Sequence, residues 1–187
     1  QLIKEFSLER VQKGGAIFNI QKLDSINSHY IRQRPLPELV ELCKPYIEKE
    51  CPSYDQTKLS EIVALHQERL HKLSEIVEMA DYFFRDEVQY ERELLIWKNA
   101  SINDVKKILE SLIEILQLIE NSSWTKEKLE SIIMPEAEKQ ENRGIMLWPL
   151  RVALSGKKAS AGPFEIAAIL GKEKVMQRVQ HARDLAL

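Results

Sequence analysis

Long hydrophobic runs are missing from this chain. No apolar stretch approaches the roughly 18 residues that a membrane-crossing helix needs, so no membrane partner is expected. The first residues carry no apolar signal-peptide core. Gln1 stands where a methionine would, which reads as a cut inside a longer chain. Turn residues are scarce: six glycines and seven prolines among 187 residues, against abundant Leu, Ile, Glu and Lys. That scarcity disfavours a sandwich or barrel and favours helices. Cys43 and Cys51 are the two cysteines, eight apart, with no CxxC spacing and no clustered histidines. A disulfide framework or zinc site is thereby disfavoured, and a reducing cytoplasm fits. No GxxxxGK[ST] phosphate loop, HExxH pair or nucleophile elbow occurs. His29, His66, His71 and His181 fall in helical patterns without a paired cysteine or serine, and read as surface or half-buried helix residues. Neither sign of charge dominates: the net charge of −2 argues against a generic nucleic-acid binder, and no DNA partner is expected.

Charge is nonetheless unevenly placed. Residues 143–187 hold eight basic and three acidic side chains, a local +5, which leaves −7 on the remaining 142 residues. A basic end on an acidic body suits a directed phosphate contact. It suits an ordinary solvated helix face equally well. The length and the 44% hydrophobic content allow a real core in one domain or two.

Periodicity then places the elements. Gly14 and Gly15 mark a turn before a short extended run, Ala16 to Phe18. Ile20, Leu23, Ile26, Tyr30 and Ile31 have helical spacing through Gln33, and Pro35 with Pro37 ends that helix and restarts the chain. Leu36 to Lys49 reads as a helix that Pro45 should kink or interrupt. Thr57 to Phe84 gives the longest continuous helical pattern, with Thr57 a weak cap. The stretch from Glu87 to Asn99 is ambiguous. Ser101 is an expected N-cap, with Asp104 complementing the dipole of a helix that runs to Ile119. Thr125 should cap the next helix. A helix from Ile145 to Leu154, with a possible kink at Pro149, is followed by the loop Ser155 to Gly162. Pro163 suits the first turn of another helix, Gly171 a left-handed stop, and Lys172 to Leu187 a closing amphipathic helix.

Two blocks of this sequence carry a family resemblance. The C-terminal one runs LWPLRVALSG from Leu147 to Gly156, then GPFEIAAILGKE from Gly162 to Glu173. The other is FSLERVQKGGAIFN from Phe6 to Asn19, followed by Lys22, Leu23, Asp24, Asn27, Tyr30, Ile31 and Arg32. Together, in this order, they resemble the C-terminal region of bacterial-type glutamyl-tRNA synthetases, which carry PLRxALxG…GxFExxxxLGKE. The resemblance covers the whole chain, its middle mostly in helical pattern. It implies a mainly all-α fold: the tail of a stem-contact domain in residues 1–34, then helical anticodon-binding subdomains in residues 35–123 and 124–187. Class I synthetases bind ATP on a domain with HIGH-like and KMSKR-like motifs, and neither motif is present here. The resemblance therefore implies a tRNA-reading portion with no cofactor of its own, inactive alone. Its parent would be a cytoplasmic glutamate–tRNA ligase using ATP and Mg2+, and its partner glutamate tRNA, bound by a monomer.

Anticodon reading needs fixed donors, accessible loop backbone and flat side chains, because it targets splayed single-stranded bases. The resemblance assigns the first anticodon base to the loop Ser160, Ala161, Gly162 and Pro163. It sets Arg151 and the position of Trp148 beside the second base. Phe164 and Trp148 also read as core residues, and Lys157 and Lys158 as possible phosphate contacts. Family members commonly read SPGLFE where this chain has SAGPFE, and many have Gln at the position of Trp148, so the loop's path is expected to differ. Arg69 matches the position at which discriminating enzymes carry arginine to read the third base. Glutamate tRNA ends its anticodon in C, which presents acceptors, whereas glutamine tRNA ends in G, which presents donors; a guanidinium only donates. The rival readings are a helical protein–protein interaction module, which predicts an exposed apolar groove, and a free-standing tRNA-binding paralogue.

Overall fold

A computed structural model describes residues 4, 6–8, 18–52 and 54–186. The expected glycine turn and the start of the extended run lie outside the described residues. Within them are nine α-helices and no strand: α1 (Ile20–Gln33), α2 (Leu36–Glu50), α3 (Leu59–His66), α4 (Glu75–Phe84), α5 (Ile102–Gln117), α6 (Lys126–Glu138), α7 (Gly144–Ser155), α8 (Pro163–Leu170) and α9 (Lys172–Leu185). The all-α expectation holds.

Local chemistry accounts for most helix starts. Asn19 caps α1 by accepting from the Lys22 amide at 3.0 Å. Ser101 and Asp104 form a reciprocal capping box on α5, with Ser101 Oγ accepting from the Asp104 amide and Asp104 from the Ser101 amide. Thr125 caps α6, and Pro163 occupies the first turn of α8, where its missing N–H costs nothing. Pro45 does not interrupt α2: it lies on the exposed side, opposite buried Leu39, Cys43 and Ile47. Water can there satisfy the carbonyl that loses its amide partner. Gly171 has the expected positive φ, 84°, but its ψ of 161° is extended rather than left-handed helical. It both ends α8 and precedes α9, and the extended ψ redirects the chain between them.

The long helix expected over Thr57–Phe84 is broken. Asp55, not Thr57, caps the start, accepting from the Thr57 amide at 2.9 Å ahead of a 3-10 turn, Gln56–Lys58. After α3 a second 3-10 turn, Gln67–Arg69, leads into extended Leu70 (ψ 129°). Three interactions, two tertiary and one local, hold the break open. Leu70 is fully buried. The Gln67 amide donates to the carbonyls of Ile31 and Arg34 at the end of α1. Glu75 accepts from the His71 and Lys72 amides at 2.8 and 3.1 Å, capping the restart.

The helices group around two centres. α2, α3 and α4 pack on one another; α5, α7 and α9 form a second group, with α6 and α8 against α7. The groups meet where α4 touches α7 and α3 touches α8. α1 leans on the Gln67–Arg69 turn, and of its apolar residues only Ile31 is buried. Arg178 of α9, 3% exposed, donates to Leu154 O at the end of α7 and to Tyr82 O and Arg85 O at the end of α4. One guanidinium thus closes two helix C-termini from opposite groups, where cationic donors are favoured. Cys43 is a free, buried thiol, its pKa pushed up to about 11 by burial, as suits an idle core residue.

His66 is buried in α3, its Nδ1 bonded to Ile62 O at 2.8 Å, and burial holds its pKa below the ordinary 6.5. The unfolded chain therefore takes up this proton at a higher pH than the folded one. The stability that neutral His66 contributes is fully present above about pH 6.5 and is lost as pH falls toward the folded value. The melting temperature is expected to decline from pH 7 to 5, more steeply in the wild type than in His66→Gln. Parallel declines would show that other groups drive it.

Candidate nucleic-acid interface

The 3-10 turn that follows α3 leaves Arg69 exposed at the seam between the two helix groups. Its Nη1 donates to the Ser160 carbonyl at 3.0 Å, across 91 residues of sequence. The two candidate elements read separately from the sequence are therefore in contact. Arg69 ends up on a turn, not within a continuous helix, so the break in the predicted helix is what delivers it to the loop.

The loop itself is built by its glycines and buried side chains. Gly156 closes α7 in the left-handed region, φ 68° and ψ 12°. A Cβ there would lie 3.3 Å from Val88 Cβ and 3.4 Å from Gln89 O. Ser155 Oγ accepts from the Lys157 amide and donates to Arg151 O, tightening the exit from the helix. Ala161, Pro163 and Phe164 are buried, so Phe164 is a core residue, and Ser160 and Gly162 are half-buried. Among residues 160–164, Ser160 therefore offers the accessible side chain, with loop backbone beside it. Beneath the loop, Tyr82 of α4 is fully buried, its hydroxyl 3.3 Å from His66 Nε2. Burial pushes that phenol up to about 12, against the opposing influence of the Ala161 backbone and of nearby Arg69 and Arg151.

Arg151, half-buried on α7, lies close enough to act on both Tyr82 and Glu165. Glu165 pairs with Lys126 at 2.8 Å. Burial opposes its ionisation, yet the bonds to Lys126 and its own amide, with the charges of Lys126 and Arg151, hold the carboxyl below its usual range. Trp148 stacks obliquely on Trp97, with ring centres 5.0 Å apart, and its indole N–H donates to Leu94 O at 2.8 Å. That donor is spent inside the protein, so Trp148 has only its ring to offer. Gly144 makes the stack possible: a Cβ there would fall 2.6 Å from Trp97 Cε2. Trp97, Arg143, Leu147, Trp148 and Arg151 line a depression of about 240 Å³.

The two lysines differ. Lys157 pairs with Asp81 at 2.6 Å, donates to Glu78 O, and lies 5.8 Å from the Tyr82 ring centre. Its ammonium is engaged with α4 and anchors the loop. Lys158 is exposed. Among the described residues no group of three or more His, Cys, Asp or Glu could hold a metal ion, and no helix is long and apolar enough to cross a membrane.

Residues 38–183 match the family model described as an anticodon binding domain. The chain belongs to that family. It is 37% identical to the glutamate–tRNA ligase of Clostridium kluyveri over 185 aligned positions, which cover 97% of this chain and 37% of that protein. The Clostridium tetani ligase is 39% identical over 184 positions, covering 96% and 36%. A solved glutamate tRNA ligase from Elizabethkingia meningosepticum superposes with a TM-score of 0.79 at 22% identity, over 98% of this chain and 36% of that one. At that identity the superposition speaks for the fold alone. The chain spans a little over a third of the length of the curated relatives it matches. The resemblance read from its two sequence blocks is therefore borne out for the family and the fold.

Three residues that hold the fold around the candidate site were not singled out in the sequence. Tyr82 reads there as one of three consecutive aromatics, Arg178 as one more basic residue on an amphipathic helix, and Trp97 falls in the ambiguous stretch. The only available hint is Gly144, a small residue at the start of a helix, which fits close packing against a large ring.

Proposed function

We propose that this chain is the anticodon-reading region of a glutamate–tRNA ligase, and that it binds glutamate tRNA in preference to glutamine tRNA. The observation that carries the reading is the Arg69–Ser160 hydrogen bond. It joins a donor-only side chain to a loop at the seam of two helix groups, beside the aromatic depression that Arg151 borders. Three adjacent positions then meet three adjacent bases. Ser160 with the Ala161–Pro163 backbone takes the first, Arg151 and the Trp148 ring border the second, and Arg69 reads the third. Lys158 is the phosphate contact, and Lys157 supports the loop.

In this reading residues 1–34 are the end of a stem-contact domain, followed by two helical subdomains. The sequence division at 123/124 is modified by one consideration: α5 packs chiefly on α7 and α9, which favours a boundary near residue 100. The whole ligase joins glutamate to its tRNA with ATP and Mg2+, in the cytoplasm and as a monomer. No residue of this chain is assigned to ATP or Mg2+, and the chain alone is expected to be inactive.

Arg151→Ala tests the placement. A cation that borders RNA displaces counterions on binding, so its loss should weaken tRNA binding and reduce the slope of log affinity against log salt by roughly 0.7–0.9. Filter binding at several salt concentrations gives both quantities. An unchanged affinity and slope would make Arg151 a partner of Glu165 alone and remove it from the interface.

A further inference from the structure

Helix α1 is held to the body largely by polar contacts with one short segment, residues 67–72. Of its apolar residues only Ile31 is buried, and the turn Gln67–Arg69 is the element it leans on. The contacts form a ladder along the helix. Lys72 Nζ lies 3.4 Å from Asp24 Oδ1. Asn27 Nδ2 donates to His71 O, and the buried Ser28 Oγ lies 2.7 Å from His71 Nδ1. At the C-terminal end, the Gln67 amide donates to Ile31 O, Arg32 O and Arg34 O at 3.1, 3.3 and 2.9 Å. The last carbonyls of a helix lack intrahelical partners, and this one side chain supplies donors to them. Leu70, fully buried, fixes the segment from the core side. Arg69 stands between these two anchors and reaches Ser160 O at 3.0 Å.

We propose that Gln67 is a positioning residue for tRNA discrimination: by holding the 67–69 turn on the end of α1, it sets the point from which Arg69 reaches Ser160 and the third base. The inference rests on the reading of Arg69 given above. A long side chain aims its charged end only as well as its backbone origin is held. The Gln67 N–H groups are spent on α1, so its amide donors act on the base through Arg69. With those bonds gone, the turn is pinned at Leu70 alone, and the guanidinium samples more directions against an acceptor edge or a donor edge. The ladder also couples α1 to Arg69, since a shift of α1 is passed to the turn.

Gln67→Met keeps the length of the side chain and removes both donors. In competition between anticodon stem-loops that end in C or G, the variant should remain folded and keep most of its affinity for the C-ending loop. Its preference should fall about threefold to tenfold, the worth of one or two hydrogen bonds. In an Arg69→Gln background, the same change should have no further effect on preference, because Gln67 acts through Arg69. A residue that merely packs would weaken both loops alike and leave the ratio intact. Magnetic relaxation of the Arg69 Nε–H gives a readout without RNA: ordered in the wild type, mobile in Gln67→Met. Should Gln67→Met fail to fold, Asn27→Ala removes an exposed rung of the same ladder and should lower the preference about twofold to threefold. An unchanged ratio in the folded variant, additive effects with Arg69→Gln, or an Arg69 side chain equally ordered with and without Gln67 would each overturn the role of Gln67. No preference in the wild type would overturn the reading of Arg69 first, and this inference with it.

Discussion

Arg69→Gln is expected to cut the preference for a C-ending over a G-ending anticodon by tenfold or more, with smaller loss on the C-ending one. The guanidinium donates from every nitrogen and accepts nothing. Facing C it meets O2 and N3 acceptors; facing G it sets donors against N1–H and N2–H. A buried donor left without an acceptor costs roughly 1–3 kcal/mol, which is where the tenfold figure comes from. Glutamine both donates and accepts, so its amide can turn to suit either base. The structure adds a reason to expect a sharp effect. Arg69 already has Nη1 engaged with Ser160 O at 3.0 Å, which limits the orientations of its free edge. Competition between two stem-loops that differ at the third base measures the ratio. A ratio unchanged by Arg69→Gln would mean that this arginine merely ties the loop to α3.

Arg178→Met should cost stability rather than selectivity at first hand. The side chain is 3% exposed, and its guanidinium feeds the carbonyls of Leu154, Tyr82 and Arg85, the last two at 2.7 Å. Burial lowers its pKa to about 10, so it remains charged at neutral pH. Methionine fills much of the volume but leaves those helix-end carbonyls without a donor. At roughly 1–3 kcal/mol for each buried group left unpaired, relaxation of the helix ends still leaves a loss on the order of 3 kcal/mol. For a chain of this size that is about 6–12 °C in melting temperature. Thermal unfolding followed by circular dichroism measures it. A shift of about a degree would mean that water replaces the guanidinium without penalty and that the two helix groups do not depend on this clamp.

What the sequence made legible was chemistry that acts within a few residues. Ser101 announces an N-cap and Asp104 an early acid because both act within one turn, and the structure joins them in a capping box. Thr125 and Pro163 announce helix starts for the same reason. The break at Gln67–Arg69 was not legible, because apolar residues at helical spacing continue on both sides and the Gln67 bonds that help hold it open reach α1, more than thirty residues away. Pro45 was misleading in the other direction, since its cost depends on which side of α2 faces solvent. The interface divides likewise. Arg69, Arg151 and the Ser160 loop could be named from the family pattern, yet their meeting is a bond across 91 residues. Arg178 joins carbonyls of two distant helix ends, a role that exists only in three dimensions. Lys157 looked like a free cation until Asp81 was seen beside it.

The central claim is that this chain distinguishes glutamate from glutamine anticodons through the seam occupied by Arg69. The most direct measurement is the affinity of the wild-type chain for two anticodon stem-loops, identical except for C or G at the third base, at two salt concentrations. The account predicts that the C-ending loop binds at least about tenfold more tightly at both salts, because the third-base contact is a base-edge contact. Both affinities should fall together as salt rises, through the shared backbone contacts. Equal affinity for the two loops at low salt would contradict it.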